Sequence, residues 1–420
     1  MKKETNMNYE FPTIRNISDV LPAIEGRDEF VVAVKEGYTV INYNVMMADT
    51  FPDVCYMREV GMGVRLEDDD LSQPAPTVMA LMRDKNAAIR RECRGIIFDT
   101  ETGDVIRRPF HKFFNVNERE ETQDHVVDLS RPHAILEKLD GSMIAPFIVD
   151  GQMIWGTKMG ATDVAKPVEE FVDDDYIDFA VFCISNGMTP IFEWCSRKQR
   201  IVLDYGSEDQ LILTAIREIK SGRYLSQDAM QDLALGYNVP VVRAFEPQTD
   251  MKAFLEHVRD LEDLEGFVVR FDDGHMLKLK CHWYLQIHKA KEAILQDRNI
   301  VELILDEKLD DVKAHLPEED RDHLTHFEIQ FNICVGIVVQ DILDIMGELD
   351  DGNIDRKTFA VEMAPQICPY MRPIVFKNFD GCTIGKVFED VRNTIRNNLT
   401  KTVKYEAIRD AWFPGVTYNA

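Results

Sequence analysis

The sequence predicts an α+β chain in two parts, a strand-rich region over residues 1–290 and an all-α region over 291–420. Two observations carry this. Asp-Gly pairs at 150–151 and 273–274 each separate two short apolar runs, the pattern of a β-hairpin. Beyond about residue 290 the apolar period lengthens from strand-like to helical. No Gly/Ser-rich linker marks the boundary.

Taken in order, the first hairpin joins Ala145–Val149 to Met153–Trp155, and the second joins Phe267–Phe271 to Met276–Lys280. Ser221-Gly222 is a candidate third turn. Ser226 is placed to cap a helix ending at Gly236, and Asp250 to cap one over Met251–Leu261. In the tail, Ile300, Leu303, Ile304, Val312 and Leu316 form one stripe. Glu318–Leu349 reads as a single long helix, and Asp355–Ala364 and Lys386–Lys401 as two more.

The 420 residues hold 48 Lys+Arg against 74 Asp+Glu, a net charge of −26. Residues 291–420 hold 15 and 24, or −9, which leaves −17 for the rest, so neither part is basic. Such a field repels polyanions, and an anionic ligand must be met by a local groove. The eight cysteines form no C-x-x-C pair, so neither a disulfide framework nor a structural zinc is expected, and the cytoplasm is the expected compartment (a host cell's, for a viral source). The apolar run Ile333–Val339 is too short to span a bilayer, and no membrane partner is expected.

Four short motifs carry chemistry. Lys138-Leu139-Asp140-Gly141 follows an apolar run, and alone would be an ordinary turn. Phe192-Glu193-Trp194 follows an expected strand, and Glu265-Gly266 opens the second hairpin. Leu277-Lys278-Leu279-Lys280 lies on its return strand, where a period of two sets both lysines on one face. Two cations so close repel unless an anion lies between them, and a phosphate fits. Together, a lysine loop, an acid and an acid-Gly hairpin returning two lysines have the order of the covalent nucleotidyltransferases. In that chemistry the Lys138 amine attacks the α-phosphate of a nucleoside triphosphate, and Lys278 and Lys280 stabilise the charge that develops. Mg²⁺ would assist, with Asp140, Glu193 and Glu265 as the available oxygen donors, directly or through waters.

Upstream segments narrow the resemblance. Asn42-Tyr43-Asn44, Glu92-Cys93-Arg94-Gly95-Ile96-Ile97-Phe98, Lys112-Phe113-Phe114-Asn115-Val116-Asn117-Glu118, Gly156-Thr157-Lys158-Met159-Gly160, Arg200-Ile201-Val202-Leu203 and Lys278 through Tyr284 resemble the bacteriophage RNA ligase 1 family. These are ATP-dependent enzymes of tRNA repair. The resemblance implies a nucleotidyltransferase domain with ATP-grasp-like antiparallel sheets around the nucleotide pocket. It implies Lys138 as nucleophile, with Tyr43, Arg94, Lys112, Glu193, Lys278 and Lys280 lining the ATP site. Arg94 and Lys112 would hold the triphosphate and orient pyrophosphate. Glu265 would act on ribose or metal, Lys158 and Tyr284 match further family positions, and Asp310 falls where the family can hold a metal. Leu139 stands where the family often has an acid.

DNA ligases and capping enzymes append an OB-fold, which would read as short strands. Residues 291–420 read as helices, so an all-α domain with no OB-fold is expected, a candidate for selecting RNA. Lys386, Arg392, Arg396, Lys401 and Lys404 are its candidate phosphate contacts. The implied substrate is RNA, a tRNA with a broken anticodon loop, delivered by an end-healing polynucleotide kinase/phosphatase. A GTP-dependent capping-type transferase and an inactive RNA-end-binding module remain open alternatives.

Overall fold

The computed structural model describes residues 9–47, 49–52, 85–381 and 383–418; Cys55 and Cys382 lie outside them. The chain forms two compact units, Met1–Leu285 and Gln286–Ala420, dividing five residues before the expected boundary.

Three sheets build the first unit. β1 (Phe30–Val34), β2 (Tyr38–Tyr43), β3 (Ile96–Asp99) and β4 (Val105–Arg107) follow one another in an antiparallel sheet. A second sheet holds β5 (Phe114–Asn115), β6 (His133–Glu137), β11 (Ala244–Phe245), β12 (Gly266–Phe271) and β13 (Met276–Lys280) in the order β11-β6-β12-β13-β5. The third is β10-β9-β7-β8, from β7 (Ser142–Val149), β8 (Gln152–Gly156), β9 (Met188–Cys195) and β10 (Gln210–Glu218). One pairing departs from the expected antiparallel order. β5 adds to β13 in parallel, because the two-residue strand reaches that edge by a long connection rather than a hairpin.

Both Asp-Gly hairpins form. At the first, Val149 pairs with Gln152, and Asp150 and Gly151 take φ of 50° and 76°, as a two-residue hairpin turn demands. At the second, Arg270 pairs with Met276. Ser221-Gly222 makes a turn closed by the Arg217–Tyr224 bridge rather than a full hairpin. Ser226 and Asp250 cap as expected, over Gln227–Leu235 and Met251–Arg259. Glu193 lies within β9 rather than after a strand, because Trp194 and Cys195 continue its buried pairing.

Three buried arginines lock this unit. Glu92 accepts from Arg108 (Nε–Oε2 3.0 Å) and Arg217 (Nη1–Oε2 2.8 Å), with all three side chains out of solvent. Arg107 donates only to backbone carbonyls.

Every element wholly within the described part of the second unit is helical. The 300–316 stripe divides into Asp297–Leu305 and Leu309–Lys313, broken at Glu307 with φ 59°. Glu318–Asp351 is one helix, as expected. It is long enough, and in one window apolar enough (mean hydropathy 1.6), to meet the size of a bilayer span, which the short run at 333–339 did not suggest. Leu324, Phe327, Phe331, Val335, Val338 and Ile342 form its buried stripe. The expected helix at 355–364 is one turn, Arg356–Thr358, widening into a π-turn over Phe359–Met363. The helix expected at 386–401 runs Ile384–Asn398, while Arg372–Lys377 and Thr402–Trp412 were not anticipated.

Candidate active site

Strand register assembles the site. Glu137 pairs with Phe267 and Gly266 with Lys280, so Lys138, Glu265-Gly266 and Lys280 line up across β6, β12 and β13. The Lys138 backbone N–H donates to the Gly266 carbonyl at 3.0 Å. Gly266 has φ +143°, and a Cβ there would lie 1.9 Å from the Leu279 carbonyl oxygen, so only glycine permits the approach. After Gly141 the chain enters β7, where Met143 pairs with Glu193 and brings β9's acid to the same place.

These elements enclose a cavity of about 280 Å³. Lys138, Arg94, Lys112, Lys278, Glu193 and Tyr43 line its polar side, while Leu136, Leu139, Val242, Val268 and Met276 supply an apolar wall. A few charged groups facing an apolar slot is the arrangement of a small-molecule site.

Apart from Arg270, which lines the cavity and donates to Gln227 Oε1 (2.6 Å), the cations in and beside it fall into two sets. Lys138 Nζ lies 2.6 Å from Glu265 Oε2, and Lys280 Nζ lies 2.8 Å from Oε1 of the same buried carboxylate. Lys280 therefore already has a counter-charge, which the repulsion argument had assigned to a phosphate. Arg94, Lys112 and Lys278 have no ion pair among the described residues. Arg94 reaches the Met143 sulfur, Lys112 stands 5.0 Å from the Phe114 ring centre and Lys278 5.1 Å from that of Phe113. Lys158 and Lys112 lie 5.6 and 5.7 Å from the Tyr43 ring centre. Burial, then the charges of Lys112, Arg94 and Lys138, push the Lys278 amine down to about 7. Burial, opposed by Lys138, pushes the Glu193 carboxyl up to about 7. A pocket with unpaired, destabilised cations attracts an anion that restores them.

Glu265, Lys280 and Lys158 do not line the cavity themselves: Glu265 joins Lys280 to the lining Lys138, and Lys158 stands by the lining Tyr43. Three further expected residues stand elsewhere. Asp140 does not line the cavity. Its Oδ2 accepts from the Val202 and Leu203 N–H groups (2.7 and 2.8 Å), its Oδ1 from the Tyr284 hydroxyl (2.6 Å), and its own N–H donates to Tyr205. It is 4% exposed, and both oxygens are committed, so it ties down the loop after Lys138 instead of offering a metal ligand. Tyr284 serves that same network. Asp310 is on the surface of the second unit, its side chain 95% exposed beside Lys313, with nothing to desolvate a bound ion. Among the described residues no three His, Cys, Asp or Glu side chains converge as metal ligands. Of the three expected donors, Asp140 is committed to backbone and Tyr284, and Glu265 to two amines, which leaves Glu193 alone, too few to build a resident Mg²⁺ site by themselves.

Phe110, Phe113, Met143 and Met276 line the cavity without having been singled out. Only Met276 had a usable signal, since strand alternation sets it on the face of Lys278 and Lys280.

Residues 92–284 match the family described as RNA ligase. A provisionally named RNA ligase of Thermovibrio ammonificans is 32% identical over 237 residues, 54% of this chain and 61% of that protein. RNA ligase 1 of Bacteriophage TS2126 is 27% identical over 242 residues, 54% of this chain and 58% of that one. A provisionally named bifunctional polynucleotide kinase/RNA ligase of Autographa californica nuclear polyhedrosis virus is 26% identical, covering 56% of this chain and 36% of its own. The chain thus spans between 36 and 61% of the length of these relatives. The stretch 92–284 that matches the RNA ligase family carries every cavity side chain named here except Tyr43.

Proposed function

We propose that the protein is an ATP-dependent RNA ligase that joins 3′-hydroxyl and 5′-phosphate RNA ends. The observation that carries this is the set of unpaired cations, Arg94, Lys112 and Lys278, around the Lys138 amine. ATP is a substrate here, and its phosphates would supply the missing counter-charge.

In the first step Lys138 Nζ attacks the α-phosphorus. A nitrogen–phosphorus bond forms, the bond to the bridging oxygen breaks, and pyrophosphate leaves. Glu265, 2.6 Å from the amine, is placed to take the proton that the amine must lose. Lys278 and Arg94 offset charge on the phosphate oxygens as it develops. In the second step a 5′-phosphate oxygen of RNA displaces Lys138 from the adenylate, and the amine regains its proton. In the third a 3′-hydroxyl attacks the activated 5′-phosphate and AMP leaves.

The apolar wall suits a flat nucleobase. ATP rather than GTP is proposed on the resemblance to the RNA ligase 1 family, and labelling with each nucleotide in parallel tests it. For the RNA, the proposal is a tRNA broken in its anticodon loop, with the helical unit 286–420 selecting it. An end-healing kinase/phosphatase would act upstream; the name of the baculovirus relative joins a polynucleotide kinase to an RNA ligase. The test is sealing of nicked tRNA beside linear single-stranded RNA and nicked DNA. Preference for nicked tRNA supports the reading, and sealing of nicked DNA alone overturns it.

A further inference from the structure

Arg107, the last residue of β4, is fully buried. Its Nη2 donates to the carbonyls of Gly95 (2.9 Å) and Thr157 (2.8 Å), its Nη1 to those of Ala145 (3.0 Å) and Gly156 (3.2 Å), and its Nε again to Gly95 (3.3 Å). The guanidinium also faces the Phe147 ring, 4.9 Å from its centre. Among the described residues no carboxylate pairs with it, unlike Arg108 and Arg217 nearby.

The carbonyls it holds are not arbitrary. Gly95 follows Arg94, and Thr157 precedes Lys158. The two loops also touch: a Cβ on Gly95, which has φ +87°, would lie 2.7 Å from the Lys158 carbonyl oxygen. One planar fork therefore fixes both backbones from which two cations extend, and ties them to β7 and β8. A pin needed only for packing could be apolar, because an unpaired buried charge is costly. An apolar side chain could not satisfy four carbonyls at once.

We propose that Arg107 is a positioning residue, holding the packed backbones at Gly95 and Thr157 so that the Arg94 side chain, which lines the cavity, meets the phosphates of the nucleotide. This rests on reading the cavity as a nucleotide site.

The test is a double-mutant cycle on ATP affinity by calorimetry, with Arg107→Lys and Arg94→Ala alone and combined, and amide exchange followed in parallel. Lysine keeps the charge but loses the fork. Each single substitution is expected to weaken ATP about tenfold, and the pair no more than about thirtyfold, short of the hundredfold of independent sites. Amides at 95–97 and 156–160 should exchange faster in Arg107→Lys, while those of β12 keep their protection. A hundredfold loss in the pair, wild-type affinity in Arg107→Lys, or a chain that no longer folds with lysine there would each overturn the proposal. ATP binding by the wild type separates the two claims: its absence refutes the nucleotide site itself.

Discussion

In the cavity of the first unit, Arg94, Lys112 and Lys278 surround Lys138 without a carboxylate of their own. In the helical unit, Arg392 and Arg396 both donate to the Leu305 carbonyl, at 2.7 and 2.9 Å, and Arg396 also pairs with Asp306 at 2.9 Å. Both had been candidate phosphate contacts; the structure makes them a clamp on the end of helix Asp297–Leu305. Lys386, Lys401 and Lys404 remain exposed. The contrast teaches that basic residues alone do not locate an anion site. What locates it is a desolvated cation for which the fold provides no partner.

Lys278→Ala should break this comparison most severely. It removes an unpaired cation beside the reacting phosphate, and adduct formation should fall about a hundredfold or more in single-turnover labelling. The fold should survive, because Lys278 bonds no carboxylate.

Acidity should sharpen the contrast next. Lys278, held down to about 7, loses its charge as pH rises through that value, and Glu193, held up to about 7, gains one. Both changes make the cavity more negative, so ATP affinity should fall about tenfold from pH 6 to pH 8. Calorimetry on Lys138→Ala separates this from chemistry, and Lys278→Met should flatten the profile. A flat wild-type profile would contradict the account.

Asp140→Asn should act through the fold. Loss of its charged hydrogen bonds should lower stability by about 2 kcal/mol in denaturant unfolding, with a smaller loss of adduct than Lys278→Ala. Tyr284→Phe removes one bond of that network and should cost about 1 kcal/mol. Smallest of all, Arg392→Ala should leave adduct formation within about twofold of wild type, since its bonds serve only a helix end.

The outcome of the sequence reading follows the same division. Both Asp-Gly hairpins were legible because local turn chemistry fixes them, and strand alternation sets Met276 and Lys278 toward the cavity, with Lys280 on the same strand face pairing with Glu265. Asp140 was misplaced because a four-residue motif does not say which way its acid turns; Val202 and Tyr284, far along the chain, decide that. Arg107, Arg108 and Arg217 were invisible for a related reason. Burial of an arginine depends on carbonyls and a carboxylate brought from distant strands, and no periodicity announces them. Residues 300–316 read as a continuous stripe because the break at Glu307 rests on a single backbone conformation.

The central claim is tested most directly by incubating the protein with ATP and Mg²⁺ and mapping the modified peptide by mass spectrometry. The account predicts a mass increment of one AMP on Lys138, absent in Lys138→Ala. No adduct on the wild type, or an adduct that persists in Lys138→Ala, would contradict it.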